Sequence, residues 1–583
     1  MAIELTQLVV TKKNIDNLLS SVKDDKFIIP DYQRQYSWDK EKCEVLWGDL
    51  VDFYENSYIH NEKNEYFLGT IVLCSRKSGL EIIDGQQRIT SLTLLLRVLY
   101  QQLIEKTPKT PEDEHLINKI APCIWNVNKT TGKVDNIKKI HLESKALTDE
   151  YNDIFKNILY NGIDLNSNSN DLYTENSKFF YNQLKKYAGD NPTSWYKLCI
   201  AILENCIILP VECGSFDMGL TIFSKLNDRG MSLSDSDIFK AQIYGMHNNR
   251  NKFIKDWKNL SEEVEYAHIS LDDVFRYYMH IIRAENNVVD KEIGLRKFYS
   301  EKSYSIFKER KNIVNDLISL AKFWKDINNF PSKDIENNMK LNYESRKYLH
   351  CLKYYSNEYW KAITSVFYYK NRNDKEFNKK FIIFLKRLLS FLFIRSIEGY
   401  TVNNIKDPIY RACISVYKGN YDSIFKEEDL SDFNSKSFKD AIDNSNNTKI
   451  SKALILLKAY LNKNQKCIID DNFNIEHIFP KKWQNKNYKG WDRESAEEYL
   501  NKYGNKAPLE YKINIVAGNE YFGEKKKIYL GKNANHKTEK SKVMDIIDIA
   551  NLPQNDWNKN DIIKRNNEFK DIIYRFFKSV LIS

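Results

Sequence analysis

The sequence predicts a multidomain α+β protein: an α/β N-terminal domain with a helical insertion, an all-helical middle, and a smaller C-terminal domain that opens on a strand. Three observations lead there. A chain of 583 residues exceeds what one hydrophobic core usually supports, so about three or four domains are expected. The N-terminal stretch alternates short apolar runs with helical periodicity, the order of an α/β layer structure. From about 246 to 450 the chain runs through amphipathic segments rich in Tyr, Phe and Lys with few strand-like runs, which reads as a helical scaffold.

The elements follow in order. KFIIP reads as a strand, about Asp39 to Tyr54 as a helix, and YFLGTIVLC and EII as two further strands. After the turn Asp84-Gly85, apolar Ile89, Leu92, Leu95, Leu96 and Leu99 recur at helical spacing, so one face of that helix packs on the strands before it. From about 106 to 191 the pattern turns polar and irregular, with NGIDLNSNSND marking a loop, and is read as a helical insertion. CIILPVEC, from Cys206 to Cys213, restores a strand. A helix through Leu220, Phe223 and Leu226 then ends at Asn227-Asp228-Arg229-Gly230, and Ser234 with Asp237 resembles a capping box opening the next helix. The domains expected are 1–245, 246–450 and 451–583; the helix at Ala453 to Leu461 is assignable to either side of the last boundary, and the strand-like NFNIEHIFP opens the last unit.

Composition narrows the function. An apolar share of 42% against 29% charged residues describes a globular protein rather than a disordered one. The net charge of +10 favours a polyanionic partner without specifying it. FIIFLKRLLSFLFIRS, Phe381 to Ser396, is interrupted by Lys386, Arg387 and Arg395 and reads as a buried helix rather than a membrane span. The start MAIELTQLVVTKKN lacks the order of a secretory signal, and nine cysteines without a CxxC pair suit a reducing compartment, so a cytoplasmic protein is expected.

The densest chemistry lies at Asn474-Ile475-Glu476-His477-Ile478-Phe479-Pro480, followed by Gly504-Asn505 and Asn514. Phosphodiester hydrolysis needs a base for water and a cation for the leaving oxygen, and a histidine beside hard oxygen ligands for Mg²⁺ supplies both. His477 is the candidate base. Asn505 is the candidate orienter, acting on the loop or on the ring. Glu476 and Asn514 are candidate ligands of Mg²⁺ or Mn²⁺, with Asn519 the alternative to Asn514. Lys481, Lys482, Lys486, Lys489, Lys525, Lys526 and Lys527 interleave with Trp483, Tyr488 and Tyr521. Such a mixture neutralises phosphates and stacks on bases, or else is a solvated lysine face.

A second constellation sits near the N-terminus. Asp84-Gly85-Gln86-Gln87-Arg88 joins a strand to a helix, where backbone N–H groups near Gln86 and Gln87 favour phosphate, Arg88 would clamp it, and Asp84 would cap the helix or bind Mg²⁺. Upstream, Gln33 and Arg34 stand between aromatics in IPDYQRQYSW, a composition suited to phosphate and base contacts. No GxxxxGK[ST] occurs, which excludes a Walker-type NTPase.

EHIFP, GNKAPLEYKINIVAGN from Gly504 to Asn519, the Phe522 to Tyr529 run and DWNKNDIIKRNNEF from Asp556 to Phe569 together resemble the HNH, or ββα-metal, nucleases. They resemble more closely the C-terminal nuclease domain of GmrSD-type modification-dependent restriction enzymes, over about Asp470 to Phe577. IPDYQRQYSW, DGQQR, FLGTIVL and the Phe223 to Lys240 segment containing LNDRG and SLSDSDIFK are similar to the N-terminal domain of the same family, over about residues 5 to 245, interrupted by the insertion. The resemblance implies a ParB/sulfiredoxin-like fold there, with DGQQR associated with nucleotide binding and hydrolysis. At the other end it implies a strand carrying the base, a second strand, and a helix carrying the last ligand. It departs from many HNH proteins in lacking cysteine pairs, so no structural zinc is expected, and in ending on Asn. The function implied is an antiviral restriction-like endonuclease that cuts DNA, including modified phage DNA, and is regulated by NTP. RNA cleavage by an abortive-infection toxin, and a nucleotide-gated DNA sensor without nuclease activity, are the alternatives.

Overall fold

The computed structural model describes residues 8–21, 26–76, 79–128, 133–145, 149–227, 234–302, 304–329, 341–425, 435–444, 448–486, 491–533 and 539–582. The chain forms two compact units, Met1–Lys255 with Lys302–Glu309, and Asp256–Glu301 with Arg310–Ser583.

The first unit is built on a mixed seven-stranded sheet. Its strands are β1 (Leu8–Val10), β2 (Lys13–Asn14), β3 (Phe27–Ile29), β4 (Tyr66–Arg76), β5 (Gly79–Asp84), β6 (Leu142–Ser144) and β7 (Cys206–Cys213). The order is β1-β7-β4-β5-β3-β6, with β2 also on β7. β4 pairs antiparallel with β5 and parallel with β7, and β3 runs parallel to both β5 and β6. Ile71 to Cys74 of β4 and Ile82 and Ile83 of β5 are buried, as strands covered on both faces require. The Gln86–Glu105 helix buries the periodic face seen in sequence, and its burial extends to Thr90, Ser91, Leu94 and Val98, so it is enclosed nearly all round.

The turn into that helix depends on Gly85. Its φ is +93°, and a Cβ there would stand 2.5 Å from Ile71 Cγ2, so only glycine brings the chain this close to β4. The segment read as a helical insertion holds helices Pro111–Ile124, Asp149–Asn161 and Leu172–Asp190 and also supplies β6, an edge strand of the main sheet. Three residues are too few to show a period, which is why the strand escapes a reading by pattern. Ser234 caps the Asp235–Met246 helix by accepting from the Asp237 N–H. Asp228, Arg229 and Gly230 of LNDRG lie outside the described residues.

In the second unit, the described elements from Leu271 to Asn444 are all helices. The Phe377–Ile397 helix is buried among them, and among the described residues no helix is long and apolar enough to cross a membrane. The last part of the unit contains β8 (Asn474–His477) and β9 (Lys506–Leu509), an antiparallel pair. Helices Thr448–Tyr460, Tyr511–Ala517, Phe522–Tyr529 and Lys559–Ile582 accompany it.

Candidate active site

In the register of β8 and β9, His477 faces Lys506, Glu476 faces Ala507 and Ile475 faces Pro508. Side chains alternate along a strand, so His477 and Glu476 belong to opposite faces of the pair. The two sequence-predicted neighbours therefore work in different surroundings.

On one face, His477 lines a cavity of about 500 Å³ with Lys452, Lys481, Lys502 and Lys506. None of these four lysines makes an ion pair among the described residues; Lys452 rests instead on the Tyr354 and Phe473 rings at 4.6 and 4.4 Å, and Lys502 lies over Tyr499. His477 Nε2 is buried and has no hydrogen-bond partner. Burial first, then the charges of Lys481, Lys506 and Lys525, push its pKa down to about 3, against a weaker upward pull from a hydrogen bond to the Ile475 backbone. Lys506 is likewise held below its ordinary value, by burial and by Lys481. The cavity thus presents a neutral imidazole among four lysines that make no ion pair of their own among the described residues, although Lys452 lies in the field of Asp471. Acidic Asp443 and Glu498 also line it.

On the other face, Glu476 is almost fully enclosed. Its Oε1 accepts from Lys525 Nζ at 2.5 Å and from the Tyr529 hydroxyl at 2.7 Å, and its Oε2 from Asn514 Nδ2 at 2.7 Å. Lys525 Nζ also donates to the His477 carbonyl at 2.6 Å. Asn514, on the helix after β9, therefore meets Glu476, but through its Nδ2 donor and not through the oxygen a metal ligand presents; its Oδ1 accepts from Asn474 Nδ2 at 3.4 Å. Asn519 does not meet Glu476; its Oδ1 accepts from the Lys482 N–H at 3.2 Å. Yet the carboxylate already holds a buried ammonium, and both of its oxygens are hydrogen-bonded. As placed, these residues do not fit a divalent ion, and among the described residues no group of three or more His, Cys, Asp or Glu could hold one.

Asn505 is completely buried and acts on the loop rather than the ring. Its Nδ2 donates to the carbonyls of Phe479 and Leu500, both at 3.0 Å, and its Oδ1 accepts from the Phe479 N–H at 2.7 Å. This ties down the backbone directly after His477. Behind it, Arg565 Nη1 donates to the carbonyls of Tyr503, Gly504 and Lys506, and Asn566 Oδ1 accepts from the Gly504 N–H. A Cβ on Gly504 would meet the Ile562 carbonyl at 2.0 Å, so the Lys559–Ile582 helix packs directly on this backbone.

Two of the lysines expected to face nucleic acid are turned inward, a correction to the sequence reading. Lys525 is enclosed on the Glu476 ion pair, and Lys526 Nζ donates to the carbonyls of Leu552 and Gln554. Lys481 and Lys482 are exposed, as phosphate contacts must be. Lys452, Lys502 and Lys506 were missed as cavity residues. For Lys506 a signal existed, since a residue opposite the base on the second strand shares its face.

In the first unit the amides of the DGQQR segment serve the protein itself. Gln86 Nε2 donates to the Arg34 carbonyl at 3.0 Å, and Gln87 Nε2 to the Gln35 carbonyl at 3.1 Å. Gln87 Oε1 accepts from the Ser37 N–H, and Gln33 Nε2 donates to the Ile83 carbonyl. Arg88 Nη1 donates to the Thr70 carbonyl at 3.0 Å, its guanidinium against Gly69. Burial raises the pKa of Asp84, while the Gly85 N–H, Arg88 and Arg34 pull the other way. Lys240 approaches the Gln33 carbonyl at 3.5 Å and is pushed down to about 8 by burial. Asp84, Arg88 and Arg34 therefore gather around the strand-to-helix turn, while Lys240 lies in the field of Asp237 and Asp31.

Comparison with known proteins places both parts in one class, the restriction endonucleases. Residues 15–244 match the GmrSD restriction endonuclease N-terminal domain, and residues 428–572 match the C-terminal domain of the same enzymes. The chain belongs to the GmrSD restriction endonuclease family. It is also similar to an uncharacterized protein of Methanocaldococcus jannaschii, 24% identical over 333 residues, covering 52% of each chain. The chain thus spans about half the length of that curated relative.

Proposed function

We propose that this protein is a restriction-like endonuclease that hydrolyses DNA phosphodiesters with His477 as general base. The observation that carries the reading is His477, its Nε2 buried and without a hydrogen-bond partner, in the wall of a cavity that Lys452, Lys481, Lys502 and Lys506 also line. Cations without acidic partners gain most from a polyanion, and a phosphate among them would stabilise the charge that develops on its oxygens. A pKa near 3 keeps the free imidazole neutral and able to accept a proton. An imidazole that weakly basic is a poor proton acceptor, however, and the bound phosphate corrects this by offsetting the lysine field and raising the pKa towards the working pH. Asn505 holds the backbone after the base, so the ring's approach is set before substrate arrives. The order of strand with histidine, second strand and helix with Asn514 supports an HNH-like reading of this part, and the mixed sheet with its DGQQR turn supports a ParB/sulfiredoxin-like one of the first unit.

The resemblance also implies Mg²⁺ or Mn²⁺, which would stabilise the leaving oxygen. Since Glu476 carries Lys525, no step is assigned to an ion here. Asp84, Arg88 and Arg34 form the site proposed for NTP, whose binding or hydrolysis would regulate cutting of unmodified or modified phage DNA.

Purified protein is expected to nick or cut plasmid and phage DNA, assayed with Mg²⁺, Mn²⁺ or EDTA and with and without each NTP, and to leave RNA intact. His477→Ala should abolish cutting while retaining DNA binding. An unchanged cleavage rate would overturn the assignment of the base. The Lys525–Glu476 ion pair favours a second reading, a nucleotide-gated DNA-binding sensor without nuclease activity. Wild-type protein that binds DNA yet cuts no nucleic acid under any of these conditions would establish it.

A further inference from the structure

Glu476 stands where the resemblance calls for a metal ligand, yet its surroundings are those of a finished ion pair. Side-chain exposure is 0% for Lys525 and 4% for Glu476. Lys525 Nζ makes two short contacts, to Glu476 Oε1 and to the His477 carbonyl. Tyr529 lies one turn further along the same helix and donates to that same Oε1, so the Phe522–Tyr529 helix presents an ammonium and a hydroxyl together. Across β9 the residue opposite Glu476 is Ala507, itself fully buried.

Charge makes the arrangement exclusive. One carboxylate and one ammonium are neutral together, the condition under which a buried charge is tolerated. Adding a divalent ion would set three positive charges against one carboxylate, with Asn514 contributing only a neutral amide. Mg²⁺ also needs its oxygen ligands at about 2.0–2.1 Å, and Oε1 already has Lys525 Nζ at 2.5 Å.

We propose that Lys525 is the resident cation of the Glu476 pocket, so that a divalent ion reaches Glu476 only by displacing the lysine ammonium. This holds whether or not the protein cuts DNA. The metal requirement of the site is then set by the lysine as much as by the acid.

The test is Mn²⁺ binding to the full chain without nucleic acid, followed by the electron paramagnetic resonance of free Mn²⁺ and by the thermal melting shift that Mn²⁺ produces. Wild type should bind weakly at this site. Lys525→Met should bind at least tenfold more tightly, and the double variant Glu476→Gln/Lys525→Met should lose that gain. Without metal, Lys525→Met alone should melt below the double variant, because only the single variant strands a buried carboxylate. If Lys525→Met folds only when Mn²⁺ is present, the ion is replacing the ammonium, as expected. Unchanged or weaker Mn²⁺ binding in Lys525→Met would overturn the proposal. Failure of the double variant to fold would also overturn it, since Lys525 would then be needed for more than neutralising Glu476.

Discussion

Replacing Asn505 with alanine is the perturbation whose cost the structure lets one work out most directly. The side chain makes three hydrogen bonds, two from Nδ2 to the Phe479 and Leu500 carbonyls and one to Oδ1 from the Phe479 N–H. Each is worth about 1 kcal/mol net, and more where the stranded partner cannot reach water. The sum is about 3 kcal/mol, and for a cooperative unit spanning Asp256–Glu301 and Arg310–Ser583, at about 2.1 cal/mol/K of unfolding entropy per residue, that lowers its melting temperature by roughly 4–5 °C. The backbone bond from the Ile478 N–H to the Asn505 carbonyl survives, so β8 and β9 should stay paired. Loosening the Phe479 backbone displaces its neighbour His477, and about 1 Å of misplacement costs on the order of 100-fold in rate. Differential scanning fluorimetry and plasmid cleavage, both run well below the lowered transition, measure the two effects separately. Asn505→Asp distinguishes hydrogen bonding from volume, because it keeps the size, loses both donors and sets a carboxylate against two carbonyls. It should do at least as badly as alanine. If Asn505→Ala melts with wild type and cuts at the wild-type rate, the clamp has no role. A shifted pH profile with an unchanged melting point would mean that Asn505 acts on the imidazole itself.

Other outcomes follow from the same geometry. His477 has a folded pKa of about 3, below its unfolded value of about 6.5. Its contribution to stability is therefore present above about pH 6.5 and is lost as pH falls towards 3. In Lys506→Ala, with one charge of the field removed, the folded pKa rises, so that loss should be smaller and should level off at a higher pH, as urea unfolding followed against pH would show. The same variant should weaken DNA binding equally for all sequences and lower the salt slope by about 0.9 for each phosphate no longer neutralised, measured by fluorescence anisotropy in a His477→Ala background. Asp84→Ala and Arg88→Ala should each weaken NTP binding at least tenfold by calorimetry; normal affinity in both would remove the nucleotide from this site. Gly85→Ala should destabilise the first unit by more than about 1 kcal/mol, since it combines a positive φ with a clash against Ile71.

The features legible in sequence are those written as a period or a punctuation mark. The Gln86–Glu105 helix showed its buried face through Ile89, Leu92, Leu95, Leu96 and Leu99, and Gly85 marked its start. β6 was not legible, because its three residues pair through backbone groups that carry no side-chain signature. Residue types at the His477 site could be read, but their directions could not. Neighbours on a strand look adjacent in sequence and face apart in space, which separated His477 from Glu476. Lys525 looked like a surface charge among charges, although Phe522, Ile528 and Tyr529 share its buried helix face and hint at an inward turn. The amides of Gln86 and Gln87 suggested ligand contacts; they were spent on holding residues 34–37, a partner 52 positions away for each.

The grip of the Lys559–Ile582 helix on the backbone of Tyr503, Gly504 and Lys506 has a bearing on when the His477 region takes shape during synthesis. The bond between Asn566 and Gly504 bridges 62 positions. While a nascent chain is still on the ribosome, the histidine strand emerges long before the helix that braces its partner strand. Arg565 cannot yet gather the carbonyls of Tyr503, Gly504 and Lys506, where the chain enters β9. An interrupted polypeptide ending anywhere before that helix would carry His477 without its frame, so, if His477 is the base proposed above, messages broken in this region would yield an inert product.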